Sequence, residues 1–308
     1  MARRRRRKSQ GQGPSGILVV DKPPGWTSHD VVARVRRVTG GRAGHAGTLD
    51  PIATGVLVVL LGKATRLAPW LVQSEKEYLV EARLGRVTDT YDREGSVVEE
   101  HPVPRLDRSD IERALEAFRG EIEQQVPAFS AVRVGGRRLY EAVRRGEAVA
   151  APTRRVRIGE LELLGRQEDR LELRVVCSAG TYVRALVHDL GRRLGCGACV
   201  EELRRIRSGE FHIEQACPWE VVEEDWRTYV VPLEALLPDW PRLELPESEA
   251  ERIRHGNPVP VPGEAADAPT RGAADEWVRL FHAGRLIALG RRQGSLVQPK
   301  VVLEGVES

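Results

Sequence analysis

No apolar run in this 308-residue chain approaches the roughly 20 residues that a membrane-spanning helix requires, which excludes a helical integral membrane protein and makes a soluble one the expectation. Cysteine is scarce. Cys177, Cys196, Cys199 and Cys217 are too few for a disulfide-stapled scaffold, and Cys196-Gly-Ala-Cys199 is a lone CxxC with no second pair or ligand-spaced histidines, so neither a metal nor redox use is expected. No apolar segment follows the charged opening, so a secretory signal is not expected, and a cytoplasmic protein with reduced thiols is. Lysine is rare too: Lys8, Lys22, Lys63, Lys76 and Lys300 are the only ones, and arginine supplies the remainder of 48 positive charges. Arginine suits bidentate phosphate contacts, although GC-rich coding produces the same bias without any function.

What is present is a charge balance of 48 basic against 45 acidic residues, with six of the basic ones packed into Arg3, Arg4, Arg5, Arg6, Arg7 and Lys8. Residues 1–15 read as a disordered basic arm, either an RNA-attracting tail or a solvated one. The body beyond it is slightly acidic, so nucleic-acid contacts there must come from local patches.

The remaining letters alternate between strand and helix patterns without a regular βαβ period, which predicts an α+β fold with a mixed or antiparallel central sheet. Strands are expected at residues 16–21, 56–61, 77–84, 156–164 and 171–177. Helices are expected from Ser28 as N-cap, over 64–73, behind a capping box at Ser109-Asp-Ile-Glu112, over 138–145 and over 181–194. Composition shifts at Pro238-Asp-Trp-Pro241. Beyond it a short helix at 247–254 and strand-like runs at 277–281, 286–289 and 301–303 suit a small β-barrel, dividing the chain into 16–237 and 238–308.

Two segments carry the chemistry. In the glycine-dense loop around Gly44, Gly47 and Gly55 the backbone has freedom to take positive φ and approach a ligand, with Asp50 pinned among them by Pro51; a lone loop aspartate is either a turn-former or a catalytic carboxylate. In Cys177-Ser-Ala-Gly-Thr-Tyr-Val-Arg184 a strand breaks into a helix start, presenting Tyr182 and Arg184 at the mouth of a site, or else Thr181 merely caps a helix with a surface arginine. Gly62-Lys63-Ala64-Thr65 is not a P-loop, since Leu57 and Ala64 stand where glycine and Ser or Thr are needed, and no G-x-S-x-G elbow is present.

Together with Gly16-Ile-Leu-Val-Val-Asp-Lys-Pro-Pro-Gly-Trp-Thr-Ser28, Gly44-His-Ala-Gly-Thr-Leu-Asp-Pro51, Tyr78, Arg83-Leu-Gly85 with Thr88-Asp-Thr90, Arg119-Gly120 and Leu203-Arg-Arg-Ile-Arg-Ser-Gly209, these motifs stand in the order of a known family. The chain resembles the bacterial tRNA pseudouridine synthase B (TruB) family over about residues 16–210, and its tail is similar to that family's PUA-type RNA-binding barrel. The resemblance implies isomerisation of uridine to pseudouridine in the T-loop of tRNA, at position 55, with no cofactor, metal, membrane or guide RNA, by a cytoplasmic monomer that also assists tRNA folding. It implies Asp50 as the catalytic aspartate and Tyr78, Arg184, Tyr182, Leu203, His45 and Lys22 as residues of the substrate site. It also implies an RNA-clasping insertion running from Gln125-Val-Pro-Ala-Phe-Ser-Ala131 to Arg137-Arg-Leu-Tyr-Glu141. With only 6 Trp, 5 Tyr and 4 Phe, the chain suits a one-base pocket better than an extended stacking platform. Ala46, Phe129, Arg133 and Cys199 replace the family's usual Thr or Ser, Tyr, Lys and His, and none of these changes removes a group the chemistry needs. The related guide-dependent archaeal and eukaryotic synthases share the arginine-rich segment after Leu203 but not the Asp21-Lys-Pro-Pro-Gly-Trp-Thr-Ser28 string.

Overall fold

The computed structural model describes residues 13–130, 132–134, 137–138, 151–261 and 277–304. The basic run 3–8, nearly all of the helix expected over 138–145 and the far part of the expected clasp lie outside the described residues.

Ten strands form the main sheet. Eight follow one path: β1 (Gly16–Lys22), β3 (Thr54–Leu61), β4 (Lys76–Leu84), β5 (Gly120–Gln125), β6 (Thr153–Gln167), β7 (Arg170–Cys177), β8 (Ala198–Ser208) and β10 (Val230–Val231) are ordered β10-β1-β3-β8-β4-β7-β6-β5, while β2 (Ala43–His45) pairs with β3 and β9 (Phe211–His212) with β8. Only the β3–β8 pair is parallel among these, so the sheet is mixed and mostly antiparallel, as the sequence predicts.

The sheet has two kinds of strand because its two faces are covered unequally. In β1, Leu18 and Val20 face one core while Ile17 and Val19 face another, and in β3 Leu57, Val59 and Leu61 alternate in the same way with Val56, Val58 and Leu60. Burial on both sides explains the unbroken apolar letters there. β4 instead alternates: Tyr78, Val80, Ala82 and Leu84 point inward, and its other face carries Glu77, bonded to Arg174 at 2.6 Å and to Arg207 at 2.9 Å. Helices α1 (Ser28–Thr39), α3 (Arg108–Glu116) and α4 (Val183–Arg193) bury Val31, Ile111, Leu115, Leu186 and Leu190 in the first core.

Three local expectations are corrected. The N-cap of α1 is Thr27, in a capping box with Asp30, while Ser28 turns inward. The capping box of α3 is Asp107 with Asp110, two residues earlier than the Ser109 reading, because the Asp107 carboxylate accepts the Asp110 N–H at 2.9 Å. Residues 64–73 do not form one helix: a 3₁₀ segment, Gly62–Leu67, passes into a single α-turn, α2 (Ala68–Leu71), where Pro69 offers no N–H to a longer helix.

The tail forms a separate five-stranded sheet of β11 (Arg242–Glu244), β12 (Val259–Pro260), β13 (Trp277–His282), β14 (Arg285–Gln293) and β15 (Leu296–Val302), in the order β11-β13-β14-β15-β12, with α5 (Glu247–Arg254) packed on it. It does not hang free. Phe281, Leu286, Leu289, Val301 and Leu303 share the second core with β1 and β3. Trp70 meets Trp277 at 5.0 Å and Trp240 at 6.4 Å between ring centroids, and Arg279 donates to the carbonyls of Leu236, Pro238 and Trp240.

Candidate active site

Asp50 sits on the loop between β2 and β3, and buried side chains from three other segments hold that loop. Ser28, the first residue of α1, accepts the Leu49 N–H at 2.8 Å and donates to the Leu49 carbonyl at 2.9 Å. Lys22, at the end of β1, has no exposed surface; its ammonium donates to the carbonyls of Pro23, Trp26 and Pro51 at 2.8, 2.7 and 3.1 Å. Burial pushes its pKa down to about 8, with the nearby Asp50 charge opposing the shift. Arg205 of β8, also buried, donates to the carbonyls of Val56 at 2.7 Å and Gly47 at 3.1 Å. The backbone of β8 passes against β3 at Gly55, which is why glycine is needed there: Gly55 has φ +94°, and a Cβ would lie 2.2 Å from the Arg205 carbonyl oxygen. Gly47 also has φ +104°, whereas Gly44 does not have positive φ and has side-chain room, so only two of the three glycines fit the sequence reading.

Arg184 lies in the first turn of α4 and is buried, not on the surface. Its Nε donates to Asp50 Oδ2 at 2.8 Å, Nη1 to the Thr90 carbonyl at 2.7 Å and Nη2 to the Phe129 carbonyl at 3.2 Å, with Asp92 Oδ2 3.6 Å from Nη1. One planar guanidinium thus fixes a carboxylate from one loop against the backbones of two others. Thr181 does not cap α4; Tyr182 occupies the N-cap position, and Thr181 Oγ1 donates to the Ser178 carbonyl.

Asp50, 35% exposed, opens onto a cavity of about 310 Å³ lined by Tyr78, Tyr182, Leu203 and, from the insertion, Ser130 and Val132. Its size sits at the small end of ligand sites. Tyr78, on the inward face of β4, is buried, and that burial raises its phenol pKa while the neighbouring Arg205 charge opposes the rise. Tyr78 is therefore a neutral hydroxyl at physiological pH. The peptide at Tyr182 is gripped by buried Gln124, whose amide accepts the Tyr182 N–H at 2.8 Å and donates to its carbonyl at 3.0 Å.

The structure brings Asp50, Tyr78, Tyr182 and Leu203 to one cavity, with Arg184 behind Asp50. Lys22 and His45 do not line it. All of Lys22's hydrogen bonds go to backbone carbonyls, which makes it a positioning group for the Asp50 loop. His45 lies on β2 with Nδ1 buried and unpartnered, and burial followed by the Arg205 charge lowers its pKa. Gln124, Arg205, Asp92 and the carbonyls of Thr90 and Phe129 are functional groups that sequence reasoning did not assign. Arg205 and Thr90 fall within the quoted motifs, but only the fold shows what they hold.

The chain matches the TruB family pseudouridylate synthase N-terminal domain over residues 35–183, the tRNA pseudouridylate synthase B C-terminal domain over 184–238, and the pseudouridine synthase II TruB C-terminal model over 241–303. It is 41% identical to tRNA pseudouridine synthase B of Chromohalobacter salexigens, covering 94% of this chain and 92% of that one, and 42% identical to that of Solibacter usitatus, covering 94% and 99%. Among solved structures it is similar to an H/ACA ribonucleoprotein bound to a substrate RNA containing 2'-deoxyuridine (28% identity, TM-score 0.69, 94% of this chain and 84% of that one). It is also similar to an archaeal box H/ACA Nop10-Cbf5 complex (26%, TM-score 0.69, 97% and 89%). With the Asp50–Arg184 pair at the cavity and three domain models running in sequence along its length, the chain belongs to the TruB family of pseudouridine synthases.

Proposed function

We propose that the chain isomerises uridine to pseudouridine at position 55 in the T-loop of tRNA, acting as a cytoplasmic monomer without a guide RNA. Residues 16–237 would perform the reaction and residues 238–308 would help hold the RNA. The observation that carries this reading is the Asp50 carboxylate, tied by one oxygen to Arg184 and open on its other side to a cavity with Tyr78 at its wall. A uridine stacked within the T-loop cannot reach that carboxylate, so the nucleotide must be everted, at a cost of a few kcal/mol recovered through pocket and backbone contacts.

In the cavity the N1–C1′ bond breaks, uracil turns, and a C5–C1′ bond forms; C5 then loses its proton and N1 ends protonated, so substrate and product are isomers. The electron-poor C1′ is what a carboxylate is suited to stabilise or trap. Arg184 holds Asp50 in one orientation throughout, and the Tyr78 ring offers a flat, neutral surface for the turning base. Release of tritium from [5-³H]uridine-labelled tRNA measures the reaction directly. Wild type is expected to release label and Asp50→Asn to fall to background; release by Asp50→Asn at the wild-type rate would remove Asp50 from its role.

A further inference from the structure

A second cleft, of about 740 Å³, lies at the far end of β2 and β3. Its walls are the last turn of α1 with Gly40 and Gly41, the following Arg42, and the 3₁₀ segment after β3; Arg36, Arg42, Lys63 and Arg66 all line it. Among the described residues, no carboxylate lies within ion-pair distance of any of these four, although arginines elsewhere on the surface, such as Arg174, Arg207 and Arg285, each hold a glutamate. Arg36 and Arg66 are tethered through the carbonyls of Ala43 and Val302, which aims their remaining N–H groups without spending their charge. Among the described residues no aromatic side chain lines the cleft, so none of them offers a base a ring to stack on. Concentrated positive charge without acids or rings matches the oxygens of a phosphate backbone.

β3 separates this cleft from the Asp50 loop by its own length, roughly 23 Å at about 3.3 Å per residue. A phosphate seated here therefore belongs to nucleotides other than the one turned into the cavity. The chain enters the cleft at Gly13, five residues after the basic run that ends at Lys8, and like charge makes that run an unsuitable occupant. The adjoining hollow shares Lys63 and contains Glu234 and Glu304, which bound the positive zone on the side of the tail sheet.

Resting on the reading of tRNA as substrate, we infer that Arg36, Arg42, Lys63 and Arg66 form a second RNA-holding site, which grips backbone phosphates of the same tRNA a strand's length from the reacting uridine. The test is filter binding of unmodified tRNA to wild type and to Arg42→Gln/Lys63→Gln across a salt series, with single-turnover tritium release at saturating enzyme alongside. The paired change is expected to weaken tRNA binding about tenfold and to lower the slope of log affinity against log salt by about two, one for each lost phosphate contact. The saturated rate should stay within about twofold of wild type. Arg42→Lys, which keeps the charge, should bind nearly as wild type. Unchanged affinity and slope in the double variant would overturn the inference, as would affinity retained with a lost saturated rate. A wild type that binds tRNA but releases no label would instead overturn the reading of the reaction, leaving the binding comparison to judge the cleft.

Discussion

Replacing Arg184 by methionine removes a single side chain from four partners, and the structure sets the size of the damage. Asp50 loses its ion pair, the Thr90 and Phe129 carbonyls each lose a donor, and the buried Asp92 is left 3.6 Å from where a cation had been. Stripping one partner from a buried charge pair costs about 3–5 kcal/mol. Asp92 keeps two hydrogen bonds, from the Thr90 hydroxyl at 2.7 Å and the Glu94 N–H at 3.1 Å, so the lower part of that range applies to it. The two orphaned carbonyls add about 1 kcal/mol each. A loss of about 5 kcal/mol corresponds to a Tm lowered by roughly 10 °C at about 2 °C per kcal/mol. Single-turnover tritium release should fall by at least about 10²-fold, because the carboxylate proposed to act on the substrate is no longer held in one orientation. Adding Asp92→Asn should restore part of the Tm, since it removes the stranded charge, but none of the rate. A single variant with unchanged Tm and rate, or a double variant that regains the rate, would refute the view that Arg184 works by orienting Asp50.

Two further outcomes follow from the loop and its tethers. Gly55→Ala should destabilise by about 3 kcal/mol or more, since positive φ and a Cβ 2.2 Å from the Arg205 carbonyl are imposed together, whereas Gly44→Ala, with nothing nearer than 3.9 Å, should cost under about 1 kcal/mol; urea melts of the two should differ accordingly, and equal costs would contradict the close approach. Lys22, at about 8 when folded against 10.5 as its ordinary value, gives a pH dependence of definite sign. Between those values the unfolded chain still binds a proton that the folded chain has released, so stability relative to Lys22→Met should rise from pH 8 to 10.5 by about 3 kcal/mol, while the rate falls as the tether discharges. A flat or falling difference in urea melts at pH 7, 8.5 and 10 would show that the ammonium is not desolvated.

Strands whose letters are apolar on both faces or on one face were legible because burial follows the pleat, as in β1, β3 and β4. The Asp50 loop was legible through its glycines and proline, and Arg184 through its place after a strand-to-helix break. What did not show was anything routed through the backbone. Arg205 and Gln124 do their work on carbonyls and N–H groups that every residue carries, so no letter marks the receiving end; for the same reason Lys22, expected in the substrate site, was not read as a loop tether. Neighbouring hydroxyls were equally opaque: Thr27 and Ser28 can each cap a helix, and only the position of Leu49 assigns the cap to one and the loop tether to the other. Asp107 was missed as a cap because serine and aspartate at 107, 109 and 110 offer overlapping solutions.

The alternation along β1 and β3 has a consequence for dissecting this protein. Half of their side chains are roofed partly by the tail sheet, through Phe281, Leu286, Leu289 and Val301, so cutting the chain near 238 would bare an oily flank of the body as well as discard the tail itself. Truncated forms should clump and lose heat resistance before any defect in tRNA handling can be measured, and the tail's role is better dissected by point changes on its outer surface than by deletion.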